Sequence, residues 1–182
     1  AALGRRLERA GLARRLGLPP LSAVEVETLI GRMSGAGAAA EPLAKRLYRE
    51  TEGNPFYLTE TVKTMFEHGA IRVVDGTWEA DYAALAHSPL PLPAGVSETI
   101  AARVGRLSAP TQEAVRVAAV AGREFDFDLL NAAWGKGEED ALAALDELLG
   151  CRLIAEAAAG ADYAFTHHKI QEAVYEGLPR HR

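Results

Sequence analysis

Few residues of this chain carry the means of chemistry, and their spacing assigns them little of it. His167 and His168 are adjacent. On an extended strand such neighbours point to opposite faces, so the spacing predicts that they cannot both ligate one metal. Gly135-Lys136-Gly137 sets a lysine between glycines but lacks the G-x-x-x-x-G-K-S/T frame in which backbone amides and a lysine hold phosphates. It falls between two helical patterns instead of after a strand, and reads as a turn. No G-x-S-x-G elbow, H-E-x-x-H pair or kinase signature occurs. Cys151 is the single cysteine; it excludes an internal disulfide, has no neighbours at zinc-ligand spacing, and reads as a small buried apolar thiol. No self-sufficient catalytic constellation remains, no metal site is expected, and the chain is expected not to be an enzyme by itself.

The elements that must position these residues are mostly helices. Ser22 with Glu25 three residues on forms a capping box and starts a helix over 22–33. After the small-residue break Gly35-Ala36-Gly37, Leu43, Leu47 and Tyr48 share a face and predict a second helix over 41–50. Glu52-Gly53-Asn54-Pro55 stops it, since glycine suits a helix end and proline restricts the residue before it. Pro55 also fits the first turn of a third helix to about residue 68, with Phe56, Leu58, Val62, Met65 and Phe66 as its apolar stripe. Residues 71–74 and 77–79 around Asp75-Gly76 read as a tight hairpin. Three prolines among residues 89–93 make a stiff extended linker, where the domain boundary is expected.

Beyond the linker, helices are expected from Ser97 (Ile100, Val104, Leu107), from Ser108 (Val115, Ala118, Ala119), and from Asp126 or Asp128 through Trp134. A fourth is expected with Leu142, Leu145, Leu148 and Leu149 inward. Arg123-Glu124-Phe125 is a brief extended piece. Residues 153–157 and 163–166 alternate as a hairpin around Gly160, and a last helix carries Ile170, Ala173, Val174 and Leu178. Short helices followed by a two-stranded hairpin is the winged-helix order. The expected fold is therefore mainly α: a helical bundle with a short β-hairpin, then a winged-helix domain.

With 182 residues, 48% hydrophobic and 25% charged, the chain has the composition of a globular protein of one or two domains. No apolar run approaches the ~18 residues of a membrane span and no secretory signal opens it, so a cytoplasmic protein without membrane contact is expected. A net charge of -5 gives no global basic field for nucleic acid. Arg5, Arg6, Arg9, Arg14 and Arg15, interleaved with Leu3, Leu7, Leu12 and Leu16, read as a solvated amphipathic helix or a contact surface. That charged opening without an initiator Met gives the expectation of an excised piece.

Four ordered blocks over about residues 20–178 resemble one known class. Residues 47–60, reading LYRETEGNPFYLTE, resemble the "ETEGNPFFLEEL" stretch of signal-transducing ATPases with numerous domains, the STAND class. The closest in character are large ATP-binding LuxR-type regulators, MalT- and AfsR-like proteins, and relatives fused to nucleotide cyclases. Residues 92–108 resemble the start of their winged-helix domain, residues 118–125 (AAVAGREF) resemble "AAVlGreF", and Phe165, Thr166 and His167 with Glu172 and Tyr175 resemble "F.H.l.re..Y".

The resemblance implies a nucleotide-sensing piece of a switch that uses ATP or ADP with magnesium in a longer parent. Residues 1–21 would be the exit from an absent nucleotide-binding core, 22–88 a helical lid, and 89–182 the winged helix. The implied partners are that upstream core and downstream sensor and output domains in cis. Gly53, Asn54 and Pro55 correspond to the lid signature whose proline meets adenine. Pro20 and Leu21 correspond to the segment lining adenine's other side. His167 corresponds to the histidine that reaches the β-phosphate of ADP. A helix stop and start, a core turn and a satisfied structural histidine explain the same residues without a nucleotide. Relatives often carry an acidic residue where this chain has His168. The alternatives are a winged-helix DNA-binding module and a passive protein-interaction scaffold. Against the first, residues 138–149 hold Glu138, Glu139, Asp140, Asp146 and Glu147 with no Lys or Arg, a face that repels a phosphate duplex and makes direct DNA contact unexpected.

Overall fold

A computed structural model describes residues 6–7, 10–14, 16–157 and 160–179. The arginine-rich helix expected at the start rests partly on Leu3, Arg5, Arg9 and Arg15, which lie outside the described residues. Leu12 and Leu16 there are exposed. The described chain is mainly helical with two small antiparallel sheets, and among the described residues no helix is long and apolar enough to cross a membrane.

Helix α1 (Ala23–Ser34) has the full reciprocal capping box: Ser22 N–H donates to Glu25 Oε2 at 2.7 Å and Glu25 N–H to Ser22 Oγ at 3.3 Å. A 3-10 turn (Gly37–Ala40) leads into α2 (Glu41–Thr51), and α3 (Pro55–Glu67) follows with Asn54 as its cap and Pro55 in its first turn. Strands β1 (Arg72–Val74) and β2 (Thr77–Glu79) pair through Asp75 and Gly76, both at positive φ, as the two-residue turn requires. Val26, Ile30, Leu43, Leu47, Leu58, Val62, Met65 and Trp78 make a first core. One turn of helix, α4 (Tyr82–Leu85), precedes the proline segment and was not expected from the sequence; Asp81 caps it, and the Tyr82 hydroxyl donates to Trp78 O.

After the linker come α5 (Ala94–Val104), α6 (Ala109–Ala121), β3 (Glu124–Phe125), α7 (Phe127–Trp134), α8 (Glu138–Gly150), β4 (Ile154–Glu156), β5 (Tyr163–Phe165) and α9 (His168–Glu176). The strands form an antiparallel sheet in the order β3-β5-β4, with Phe125 opposite Tyr163 and Ile154 opposite Phe165. Val96, Ile100, Val115, Ala118, Leu130, Leu145, Leu148, Phe165 and Ile170 make a second core. Tyr57 of α3 belongs to this second core, so α3 is a wall shared by both.

Several expectations are corrected. The helix expected from Ser97 begins at Ala94, which brings the fully buried Val96 into its first turn. Phe56, assigned to the apolar stripe of α3, is exposed; the buried aromatic is Tyr57. Leu142 is also exposed, because α8 turns Ala141, Ala144, Leu145 and Leu148 inward and Leu142 lies one residue, about 100° of rotation, off that face. Asp126 sits at the start of α7 without capping it; Asp162 from the β4–β5 connection takes the Phe127 N–H at 2.9 Å instead. Cys151, expected to be buried, is exposed at the end of α8.

Candidate functional site

The turn between α2 and α3 gathers most of the residues singled out by the sequence. Its backbone takes two successive left-handed steps, Glu52 at φ 48° and Gly53 at φ 73°. Gly53 has no freedom to be anything larger: a Cβ there would overlap the Leu21 carbonyl oxygen and sit 2.9 Å from its carbonyl carbon. The close approach is used, since Leu21 N–H donates to Gly53 O at 2.8 Å. The backbone that Gly53 admits is thus that of Leu21. Asn54 Oδ1 accepts the Phe56 N–H at 3.0 Å and begins α3. Leu21 is half-buried, while Pro20 and Pro55 are exposed, Pro55 beside the exposed Phe56.

His167 comes to the same turn from 116 residues away. It caps α9 in an extended conformation: its Nδ1 accepts the Lys169 N–H at 3.1 Å, and its Nε2–H donates to Thr51 O at 2.9 Å. The Tyr57 ring lies 4.3 Å away and the imidazole is buried. Burial pushes the His167 pKa below its usual range, and the hydrogen bond to Thr51 and the Glu52 charge only partly oppose it. The ring is held neutral with both nitrogens engaged.

Charges surround this contact. Glu52 Oε1 lies 2.8 Å from Arg123 Nη1 and 3.1 Å from His168 Nδ1. Glu50 Oε2 lies 3.3 Å from Lys169 Nζ and 3.7 Å from His168 Nε2, while Lys169, almost fully buried, also meets Glu172 at 2.8 Å. Burial alone would raise the Glu52 carboxyl; the hydrogen bond to His168 and the Arg123 charge outweigh it and hold the group below the ordinary range.

The expectation that His167 and His168 diverge is overturned. They lie at a junction of strand and helix, where the backbone changes conformation between them, and their rings stack 4.7 Å apart. With Glu52 they bring three ligand-type atoms within 4.8 Å of one another. Coordination nevertheless runs against the hydrogen bonds. A ligating histidine ordinarily gives its second N–H to an acceptor, whereas His167 Nδ1 receives the Lys169 amide and Nε2 carries the proton; Glu52 is engaged by Arg123. A metal would have to displace the α9 cap or the Thr51 contact.

Sequence reasoning placed Glu52 in a helix stop and Arg123 in an extended piece, and it named none of Thr51, Glu50, Glu52, Tyr57, Arg123 or Lys169 as a site residue. Each is locally unremarkable, and only closure of the fold pairs them. On α8, Glu147 faces inward to α6: it accepts the Ser108 N–H at 2.9 Å and the hydroxyls of Ser108 and Thr111 at 2.7 and 2.6 Å. Glu138, Glu139 and Asp140 crowd its exposed first turn. No known family model, curated protein or solved structure matches the chain.

Proposed function

We propose that this chain is the lid and winged-helix portion of a STAND-type regulatory ATPase, acting as an ADP/ATP-dependent switch in signalling or transcription regulation and not as an enzyme by itself. The observation that carries the reading is convergence: Gly53, Asn54 and Pro55 of the 47–60 block, His167 of the 165–175 block, and Leu21 of the lid-entry segment meet around one turn. The order helix, strand, helix, helix, strand, strand over 109–165 with sheet order β3-β5-β4 supports a winged helix for residues 89–182, with 22–88 as the lid and 1–21 as the exit from a core. The acidic first turn of α8 weighs against DNA contact.

In this reading the phosphates and magnesium of ATP or ADP are held by an upstream core in the same cytoplasmic protein. The share of this chain is small: Pro55 offers an exposed apolar ring to a base, Gly53 positions Leu21, and His167 offers one Nε2–H. The fit of that donor is chemically direct. A phosphate oxygen can replace the Thr51 carbonyl as acceptor without a change of tautomer, and neutral His167 suffices for it. A charge-assisted hydrogen bond of about 1.5–3 kcal/mol shifts a two-state equilibrium tenfold or more, in favour of the state that makes it.

The test uses the full-length gene product, whose upstream frame must contain G-x-x-x-x-G-K-S/T. His167→Ala is expected to lower ADP content after purification and raise basal output, while Gly53→Val with Pro55→Ala impairs binding of both nucleotides. Unchanged ADP occupancy and unchanged output in the His167 variant remove the histidine from the mechanism. A stable partner captured irrespective of nucleotide points to the scaffold instead.

A further inference from the structure

Glu52 occupies a position that its residue type does not favour. It is the left-handed cap of α2, at φ 48° and ψ 32°, where glycine is the usual residue because it bears no Cβ. The capping interaction itself needs only the backbone, since the Glu52 N–H donates to Tyr48 O at 2.7 Å. Its side chain does nothing for α2. It crosses to the C-terminal unit, where one oxygen meets both Arg123, just before β3, and His168, at the start of α9. Glu50, two residues earlier, meets Lys169 on the same helix. Two carboxylates of α2 therefore face Arg123, His168 and Lys169 across the junction, and the Thr51 carbonyl between them takes the His167 proton.

We infer that Glu52 is a latch between the two units: it accepts an unfavourable backbone conformation so that its carboxylate can bridge Arg123 and His168 and hold His167 in register with Thr51. It is a positioning residue, acting on His167 through its neighbour in the chain. A cap residue and a latch residue give opposite responses to one substitution. Glu52→Gly relieves the left-handed backbone, so an ordinary cap position gains stability from it. A latch position loses the junction although α2 gains its preferred cap.

The experiment is carried out on the 182-residue chain without nucleotide. Hydrogen exchange at the Lys169 amide, bonded to His167 Nδ1, and NMR titration of the His167 ring report the junction directly. In Glu52→Gly the Lys169 amide is expected to exchange about three- to tenfold faster, the range left after discounting a charge-assisted pair for the half exposure of Arg123. Loss of the Glu52 charge alone would lower the His167 titration, so a move up towards the ordinary imidazole range reports that the ring has met water. Glu52→Gln should act in the same direction, and Glu52→Arg combined with Arg123→Glu should recover part of the protection. Unchanged Lys169 exchange and an unchanged His167 titration in Glu52→Gly, with or without a raised melting temperature, overturn the latch and leave Glu52 as a cap alone.

Discussion

Replacing Gly53 by alanine tests the turn at its tightest point. Two costs are separable. The residue sits at φ 73°, where a Cβ costs about 1–2 kcal/mol by backbone sterics alone. The same Cβ would lie 2.9 Å from the Leu21 carbonyl carbon and 3.1 Å from its nitrogen. These are backbone atoms, so relief requires the 20–22 segment to move away, which breaks the Leu21 N–H bond to Gly53 O, worth about 1 kcal/mol, and uncovers part of the Leu21 side chain. The sum is about 3 kcal/mol. Gly76→Ala is the internal control, since Gly76 sits at φ 77° with nothing within 4 Å of the built Cβ, and only the first cost applies. Urea denaturation followed by circular dichroism should give an unfolding free energy for Gly53→Ala below that of Gly76→Ala by about 1–2 kcal/mol at unchanged slope. Equal destabilisation of the two variants would refute the reasoning, because the Leu21 backbone would then yield freely and the contact would hold nothing in place.

Leu145→Asp should unfold or severely destabilise the C-terminal unit, by several kcal/mol, because Leu145 is 1% exposed and the carboxylate finds no partner there; Leu142→Asp, on the exposed side of the same helix, should change the melting temperature little. Stability should fall with acid in two windows. His167 has a folded pKa below its unfolded one, so its contribution is full above about pH 6.5 and is lost as pH drops through the lower folded value. The depressed Glu52 carboxyl adds a loss below about pH 4.5, in a cluster that also holds Glu50, Arg46, Arg123, His168, Lys169 and Glu172. Denaturation midpoints at pH 7.5, 5.5 and 4 check this, and a chain more stable at pH 5.5 than at 7.5 contradicts the sign. Calorimetric titration of the chain with ATP or ADP and magnesium should be flat, and a low-micromolar dissociation constant would contradict the division of labour proposed above.

What the sequence disclosed was what is encoded within a few residues. The Ser22 and Glu25 cap, the Asp75-Gly76 turn and the Pro55 start each combine a residue type with its immediate neighbours, and all three appear in the fold. Helical phase was harder to read. Hydrophobicity ranks Leu142 above Ala141 and does not separate Phe56 from Tyr57, whereas packing buries the small Ala141 and Ala144 and inserts Tyr57 into the second core. The junction was illegible for another reason. Glu50, Glu52, Arg123 and Lys169 each resemble a solvated charge when read in order, and their pairing exists only after residues separated by 71 positions (Glu52 and Arg123) to 119 positions (Glu50 and Lys169) have met. His167 and His168 misled because a rule for strands was applied across a change from strand to helix.

The separation of Thr51 and His167 along the chain also sets an order of assembly. Pairing Val74 with Thr77 closes a loop of a few residues, whereas joining His167 to Thr51 spans 116. About five doublings of loop length lie between them, and at roughly 0.6 kcal/mol each they amount to about 3 kcal/mol of closure entropy. Helices and the β1–β2 ribbon can form as they emerge from the ribosome. The three-stranded sheet must wait, since β3 finds its partner only when β5 arrives behind α7 and α8. His167 follows β5 directly, so a nascent chain that has released residue 165 holds the first core and both small sheets, but it lacks Ile170 and Val174 of the second core and every polar bond that α9 makes to α2. Those bonds form only when α9 seats on a surface that α2 and the sheet have already built.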